Sequence, residues 1–598
     1  MKVRQTFLLL AGLLLVLPSH VGAEFRPKVE VLAIQGRAVI YVNRQPAIGL
    51  DDFDRANIVA GRIAQLANLG ISPEAIGVVR TPRGAAIVAV GLRIIEVTNE
   101  QAKLQNTTSM ALARRWALNL RRLLSLPGLT AEPARLLIPL SESRTLRVGG
   151  AASGPIEVMA SGAPVNAVVD QVKRTVTVTG LAVGDGMLTL RCEGAELNVP
   201  FATRKYAAVV GSARVAYTGS GPSKDRLEKL IADYALRAVA AEPGARVQLD
   251  EPVRLQPGLI PQQVAVRIRA EGEGYIPVRA DVPVSLTVEN VPPKEASVLF
   301  YSNDPERVRR FGGLYAAPLQ LDQPARLLYH HQNVMSRPFD LSVSVVNYGS
   351  LPARVQVIEG VAPAMVDTVQ VGHRAAARFM PNLFSNSGFI LDLAPGERYP
   401  ILLQTIPSGF TGSGLFQLRL LAGESVWVFV RAEATGWSVP ERPPAPSRHI
   451  YTNPRMNIQE RYVVGQRWAF IPIGKYSIER VSRDGVLDGN YGVLYDINVK
   501  VENPTSEPVN VEVLFEPSAG VARGVFWIDG VSVETQHLLP PKEYPIAKYP
   551  LQPNSSRDIR ILTMPLSGSH YPARIIVRAL RNTVRRPSGA QEAMAPTP

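Results

Sequence analysis

Apolar residues alternate with polar or small ones along Phe339, Leu341, Val343 and Val345, and again along Tyr495, Ile497, Val499 and Val501. A period of two puts successive side chains on opposite faces of a strand, so the apolar row is expected to be buried against a second sheet. The two stretches also match residue for residue. Phe339-Asp340-Leu341-Ser342-Val343-Ser344-Val345-Val346-Asn347 reads like Tyr495-Asp496-Ile497-Asn498-Val499-Lys500-Val501-Glu502-Asn503, with an offset of 496 − 340 = 156 that holds through Pro352/Pro508 to Val355/Val511. Farther on, Leu393-Ala394-Pro395 corresponds to Leu551-Gln552-Pro553 and Thr405-Ile406-Pro407 to Thr563-Met564-Pro565, at an offset of 563 − 405 = 158. The pattern predicts two homologous Ig-like β-sandwiches, residues 296–434 and 450–580. Between them, 435–449 holds Pro440-Glu441-Arg442-Pro443-Pro444-Ala445-Pro446, which reads as a stiff Pro-rich linker. Such a linker predicts separable copies and first proteolysis between about Trp437 and Tyr451.

Upstream the period changes. Ala56, Val59, Ala60, Ile63, Leu66 and Ala67 recur at helical spacing after Asp51 or Asp52, either of which can cap, and Gly70 ends the run. Ala113, Trp116, Ala117, Leu120 and Leu124 form the apolar face of a second helix that starts near Thr107 or Thr108 and stops at Pro127-Gly128. With strands at 29–42, 76–79 and 85–97, residues 24–132 read as an α+β domain. Residues 133–204 read as a small all-β domain, and 205–290 as a second α+β domain. In the latter, Ser223 caps a helix whose buried face is Leu227, Leu230, Ile231, Tyr234, Ala235 and Ala238. The expected fold class is mainly β and multi-domain, with the two sandwiches in the C-terminal half preceded by small α+β and all-β domains.

Composition places the protein outside the cytoplasm. Residues 1–23 read as a signal peptide: Lys2 and Arg4, an apolar run from Phe7 to Leu17, and Val21-Gly22-Ala23 before a cut at Glu24. The run is short for a membrane span. No twin Arg and no Cys after the cut are present, so the general export route is expected, with a periplasmic or extracellular mature chain. The only cysteine is Cys192, in a strand-like segment, so stability must come from cores and not from an internal disulfide. With 46% hydrophobic and 19% charged residues, the chain can build them. Net charge is +14, or 63 − 51 = +12 without Lys2 and Arg4, and it is scattered, which argues against a nucleic-acid groove. Residues 581–598 read as a disordered basic tail.

Candidate chemistry is thin. His330-His331 is the best metal hint, but neighbours on a strand face opposite ways, and the pair is not repeated in the second copy, so it reads as an exposed pair without metal. Asp484 to Asn490 could offer oxygens to calcium but lacks the order of a calcium loop. Gly219 to Lys224 resembles a phosphate cradle and reads more simply as the loop before a helix. Ser569-His570 has poor geometry for a nucleophile and base. Asp340 and Asp496 repeat at strand starts, which favours a shared turn hydrogen bond over acid–base work. Trp468, Trp527, Tyr491 and Tyr495 could stack on sugar and otherwise belong to the core. Arg114, Arg115, Arg121 and Arg122 line the polar side of a helix, read as solvated against a membrane-surface alternative. No catalytic, cofactor-binding or metal residue is expected, and no cofactor.

Three resemblances accompany these residues. The Ala56–Leu66 helix, Val97-Thr98 and the Thr108, Leu112-Ala113, Trp116-Ala117 helix resemble a module in the exported regions of bacterial mechanosensitive-channel-like proteins. Val176-x-Val178-x-Gly180, followed by Gly184 and Leu188, resembles secretin N-terminal and bacterial Ig-like domains. In the second copy Asp488 to Tyr495, Ala522 to Val525, Thr563 to Pro565 and Ser569 to Pro572, and in the first Ser302 to Glu306 and Leu328 to Asn333, resemble uncharacterised secreted bacterial multi-domain β-sandwich proteins. The resemblances imply folds and an address, not an activity. The expected function is an exported, non-enzymatic scaffold or binding component of the bacterial cell envelope, acting through protein–protein contacts. Its expected partner is an envelope or secretion-system protein or an anionic envelope polymer, and not nucleic acid. A surface adhesin or glycan-binding protein is the alternative, and a hydrolase with an unrecognised site a remote one.

Overall fold

A computed structural model describes residues 25–580. The expected signal peptide 1–23, its expected cut before Glu24 and the expected basic tail 581–598 lie outside the described residues. Among the described residues, no helix is long and apolar enough to cross a membrane. The chain is mainly β and forms two compact units. One holds the residues up to Val210 with Val239–Gln248 and Ile268–Ala280, and the other holds Gly211–Ala238, Leu249–Arg267 and everything from Asp281. The stretch 205–290 contributes to both.

The first unit contains two cores. Helix α1 (Phe53–Asn68), the short α2 (Asn99–Lys103) and α3 (Ser109–Leu124) pack on two three-stranded antiparallel sheets, 29–50 and 76–98. Asp52 caps α1 by accepting from Arg55 N at 3.1 Å, and Thr108 caps α3 by accepting from Ala111 N at 3.2 Å. Ala56, Val59, Ile63, Trp116, Leu120 and Leu123 share one core. Residues 130–204 form a separate small sandwich of two four-stranded sheets around Leu146, Val176, Val178, Leu188 and Phe201. Cys192 is buried there, its Sγ 3.2 Å from Gly154 O.

The second unit holds the repeat, and topology follows sequence. In the first copy Phe339–Asn347 pairs with Arg398–Ile406 in one sheet, and Ala353–Val361 pairs with Gly388–Leu393 and Thr411–Ala422 in the other. In the second copy Leu494–Asn503 pairs with Ser555–Thr563, and Val509–Pro517 pairs with Tyr544–Leu551 and Ala573–Ala579. Val343 and Val499 are both fully buried. The repeated Asn347 and Asn503 are buried clamps, not surface turn residues. Asn347 Nδ2 donates to Leu351 O at 2.8 Å and Ala394 O at 3.1 Å, and Asn503 Nδ2 donates to Glu507 O at 2.8 Å and Gln552 O at 3.0 Å. The acceptors stand at the same two offsets, 156 and 158. Asn333 does the same job a third time, donating to Arg337 O and Ile406 O, both at 2.9 Å. Each buried amide ties a turn carbonyl four residues on to a carbonyl of a distant segment.

Two features of this unit depart from the reading of separable sandwiches. The first is a helix inside copy one, α5 (Thr368–Phe384), where copy two has the strands Val525–Ile528 and Val531–Glu534. Its Val371, Ala375, Phe379 and Met380 are buried in one core with Leu328 and Leu415 of copy one and Tyr495, Phe526 and Met564 of copy two. Gly372 is a close-approach site: a Cβ there would stand 2.0 Å from Ser567 O of the second copy. The second feature is the 435–449 spacer, which is hydrogen-bonded along copy one. Tyr348 Oη donates to Pro440 O at 2.6 Å, and Ser447 N donates to Ala316 O at 2.8 Å. Beyond it, Ile450–Thr452 pairs antiparallel with Val298–Phe300 of the first copy. Upstream, helix α4 (Lys224–Arg237), capped by Ser223, docks on copy one through a half-buried two-pronged Arg226–Glu359 pair at 2.6 and 2.7 Å.

Candidate functional site

The outer face of the sheet formed by 455–463, 494–503, 555–563 and 525–528 is where the unit offers a recess. Alternation decides its content: Ile497, Val499, Ile559 and Ile561 point into the second sandwich and are fully buried, so Asp496, Arg560, Leu562 and Trp527 point out. Copy one overhangs this face with the end of α5 and with the segment around Lys294. The result is a cleft of about 400 Å³ within the second unit. Trp527 forms one wall, half-buried against Phe384 of α5 with ring centroids 5.6 Å apart and planes at 58°.

The polar floor is an ion-pair array. Arg560 grips Asp496 with Nε to Oδ1 at 2.9 Å and Nη2 to Oδ2 at 2.7 Å. Arg455 bonds the same carboxylate and also Glu295. Arg560 beside it holds the Asp496 carboxyl below its ordinary value, against the opposing effect of burial, and Arg455 acts in the same direction as Arg560. Asp529 takes Tyr549 Oη at 3.0 Å and Arg557 at 3.2 Å. Gln417 lines the cleft and is only 6% exposed. Its amide nitrogen donates to Lys294 O at 3.1 Å, while its amide oxygen has no hydrogen-bond partner. Opposite Gln417 in register stands Arg326, fully buried, whose Nη1 donates to Gly492 O at 2.9 Å and Pro454 O at 3.1 Å. These carbonyls belong to copy two, so a copy-one cation pins the second sandwich. Burial pulls that guanidinium down to about 10, which leaves it charged at neutral pH.

The structure scatters the other candidates. His330 and His331 are buried, at 1% and 0% exposure, which corrects the reading of an exposed pair. They do face opposite ways. His331 Nδ1 donates to Pro305 O at 2.9 Å, so its Nε2 is the acceptor for Ser302 Oγ, also at 2.9 Å. Both ring nitrogens of His330 are without partners. Ser569 and His570 do not address each other: Ser569 Oγ accepts from Arg523 N at 3.2 Å, and His570 Nδ1 donates to Val521 O at 3.1 Å. In the Asp484–Asn490 string, Asp484 bonds Ser482, Asp488 accepts from Ser477 at 3.3 Å, and Asn490 is buried against Tyr476 O and Tyr495 Oη. Ser220 N, in the loop before α4, is given to Ser387 Oγ at 3.0 Å. On α3, Arg121 Nε bonds Ile76 O at 2.7 Å and Arg115 bonds Gln105 at 3.0 Å. The repeated aspartates differ: Asp340 takes the Thr405 hydroxyl and Gly436 N, at 2.6 and 2.8 Å, whereas Asp496 is held by arginines. Of the four aromatics, only Trp527 reaches the cleft. Trp468 lies on the other sheet of copy two under Arg578, 4.5 Å from its ring centre, and Tyr495 is core. Phe384, Gln417, Arg455 and Arg560 carried no sequence signal, because each matters only through partners more than 30 positions away.

The buried histidines have a measurable consequence. Burial, with the neighbouring His331 charge adding to it, pushes His330 down to about 3, and burial pushes His331 down to about 4. Burial and Arg523 also lower His373 of α5, against its 2.5 Å contact with Glu534. The folded values lie below the unfolded value near 6.5. The stability these groups contribute is therefore present above pH 6.5 and lost as pH falls towards 4 and then 3, because only the unfolded chain takes up the protons. Thermal melts of the mature protein should drop steadily from pH 7 to pH 4.5. His330→Leu should flatten that slope and melt above the parent at pH 5. An unchanged slope would show that His330 is not held neutral.

Among known proteins, residues 31–125, which include α1 to α3, match DUF8459, a family described as a domain of unknown function. No curated protein matches the chain. Among solved structures, domains 5-6 of the S-layer protein SbsC align at 13% identity over 27% of this chain and 98% of that one, with a TM-score of 0.13. A tandem of titin Ig domains aligns at 8% identity over 28% and 100%, with a TM-score of 0.13. The Bacteroides ovatus mixed-linkage glucan utilization locus protein SGBP-B, in complex with a mixed-linkage heptasaccharide, aligns at 10% over 50% and 72%, with a TM-score of 0.11. At these scores the likenesses carry no argument about what this chain binds. The family match covers one N-terminal module.

Proposed function

We propose that this chain is an exported, non-enzymatic binding component or scaffold of the bacterial cell envelope, working through the surfaces of its β-sandwich domains. The observation that carries the reading is the shared core of the second unit, in which α5 and Arg326 join two sandwiches into one body. A scaffold must present surfaces in fixed geometry, and close-packed interiors provide that where a flexible tether would not. Ser569 and His570 are turned to separate internal hydrogen bonds and His330 is buried, which fits a binding role better than a chemical one. Export rests on the N-terminal sequence pattern.

The test is capture. A tagged full-length chain, expressed in a Gram-negative host and cross-linked before lysis, should begin at Glu24 by mass spectrometry, fractionate with the envelope and retain a defined protein partner. A chain still starting at Met1 and found in the cytosol would refute the reading, as would an activity-based serine-hydrolase probe labelling Ser569. The glycan-binding alternative is favoured by one feature, the cleft beside Trp527.

A further inference from the structure

We propose that the cleft over the outer face of the 455–463, 494–503 and 555–563 strands binds a neutral saccharide, with Trp527 as its stacking wall and the Arg560–Asp496–Arg455 array as its hydroxyl ligands. The inference rests on the reading of this chain as a binding protein and names the chemistry that one of its surfaces accepts.

Charge balance comes first. Three cations, Lys294, Arg455 and Arg560, and two carboxylates, Glu295 and Asp529, line the cleft, and a third carboxylate, the buried Asp496, lies beneath the two arginines and neutralises them. Each cation is already engaged: Lys294 bonds Asp322 at 2.7 Å, and both arginines bond Asp496. An anionic polymer would have to displace a carboxylate to reach any of them. A neutral ligand has no such competitor and brings no charge to be desolvated. The anionic envelope polymer expected from net charge alone therefore has no place here.

Hydrogen-bond chemistry narrows the class. Fork-paired guanidinium and carboxylate groups set donors and acceptors side by side in fixed directions. A sugar hydroxyl donates and accepts at once, so it can bridge such a pair without breaking it. The unpaired amide oxygen of Gln417, itself more than nine-tenths buried, is an acceptor that a hydroxyl would satisfy. Trp527 supplies the remaining need. Its indole is braced by Phe384, presents a rigid apolar surface, and suits the C–H face of a pyranose ring. The volume of about 400 Å³ falls in the range of small-ligand clefts.

The experiment uses the full mature chain with cellopentaose, maltopentaose and chitopentaose as neutral probes and polygalacturonate as the acidic one. Binding is read by calorimetry and by tryptophan fluorescence. At least one neutral oligosaccharide should bind saturably, with affinity insensitive to salt. Trp527→Ala should weaken it about tenfold or more, Trp527→Phe should recover most of the loss, and Trp468→Ala should change nothing. Melts of the variants must match the parent, and Trp527→Phe keeps the test valid if Trp527→Ala does not fold. Failure of all three neutral probes, binding of polygalacturonate alone, or neutral binding that survives Trp527→Ala would overturn the proposal. So would loss of a captured protein partner in Trp527→Ala without any sugar binding, since the cleft would then be a protein site. Sugar binding without envelope capture would instead sink the scaffold reading and leave this one standing.

Discussion

Val343→Asp and Val499→Asp should each unfold the second unit. Both valines are fully buried, on the matched strands Phe339–Asn347 and Leu494–Asn503. An aspartate there would place a carboxylate among apolar side chains with no cation or donor positioned to meet it. The expected loss is about 3–5 kcal/mol, a large fraction of the stability of an ordinary domain. The shared core makes the expectation sharper. If the sandwiches were independent, each substitution would leave the other copy melting normally, but the core in which Val499 packs together with α5, Leu328 and Leu415 of copy one should give a common shift in both. Leu403→Asp, at an exposed position of the same first copy, should cost no more than about 0.5 kcal/mol. Chemical denaturation followed by fluorescence and by far-UV circular dichroism checks this. Two transitions, with only one displaced, would show that the copies fold separately.

Phe379→Ala should loosen the junction itself. Phe379 is fully buried on α5 and belongs to the core that includes Tyr495 and Phe526 of the other copy. Removing a buried phenyl ring costs about 3–5 kcal/mol through lost transfer energy and the cavity left behind. The readout is limited proteolysis. In the parent, the Pro-rich segment is held by Tyr348 and Ser447 and should resist cleavage despite its exposed middle. In Phe379→Ala, cleavage between about Trp437 and Tyr451 should become the first event. Arg326→Ala should act in the same direction, because it takes the donor from the Gly492 carbonyl and one of the two donors from the Pro454 carbonyl. Rapid cutting of the parent at that segment would restore the picture of two tethered beads.

The contrast between the copies explains how far the sequence could be read. Strand alternation is a local property, so Leu341, Val343, Ile497 and Val499 declared both their periodicity and their buried face. Helix caps are equally local, and Asp52, Thr108 and Ser223 were legible for that reason. Helix α5 has its own local marks, Asp367 accepting from Gln370 N at 2.9 Å and apolar residues at Val371, Ala375, Phe379 and Met380. The strand repeat that flanks it on both sides, and Pro381 in its last turn, mask those marks. The burial of His330 and His331 is not a local property. Burial of a polar residue depends on which elements cover it, and the strand Ala325–Asn333 is covered from segments far away in the chain.

The sequence by itself determined the periodicities, the offset of the repeat, the helix caps and the mainly β, multi-domain class, because all of these are written in neighbours a few positions apart. Only the tertiary structure decided that α5 joins copy one to the core of copy two, that repeated buried asparagines clamp turns, and that Trp527, Phe384, Gln417 and Arg560 meet at one cleft. Those outcomes depend on contacts between residues dozens to more than a hundred positions apart. No local pattern encodes which apolar face or which unpaired donor will be brought against them.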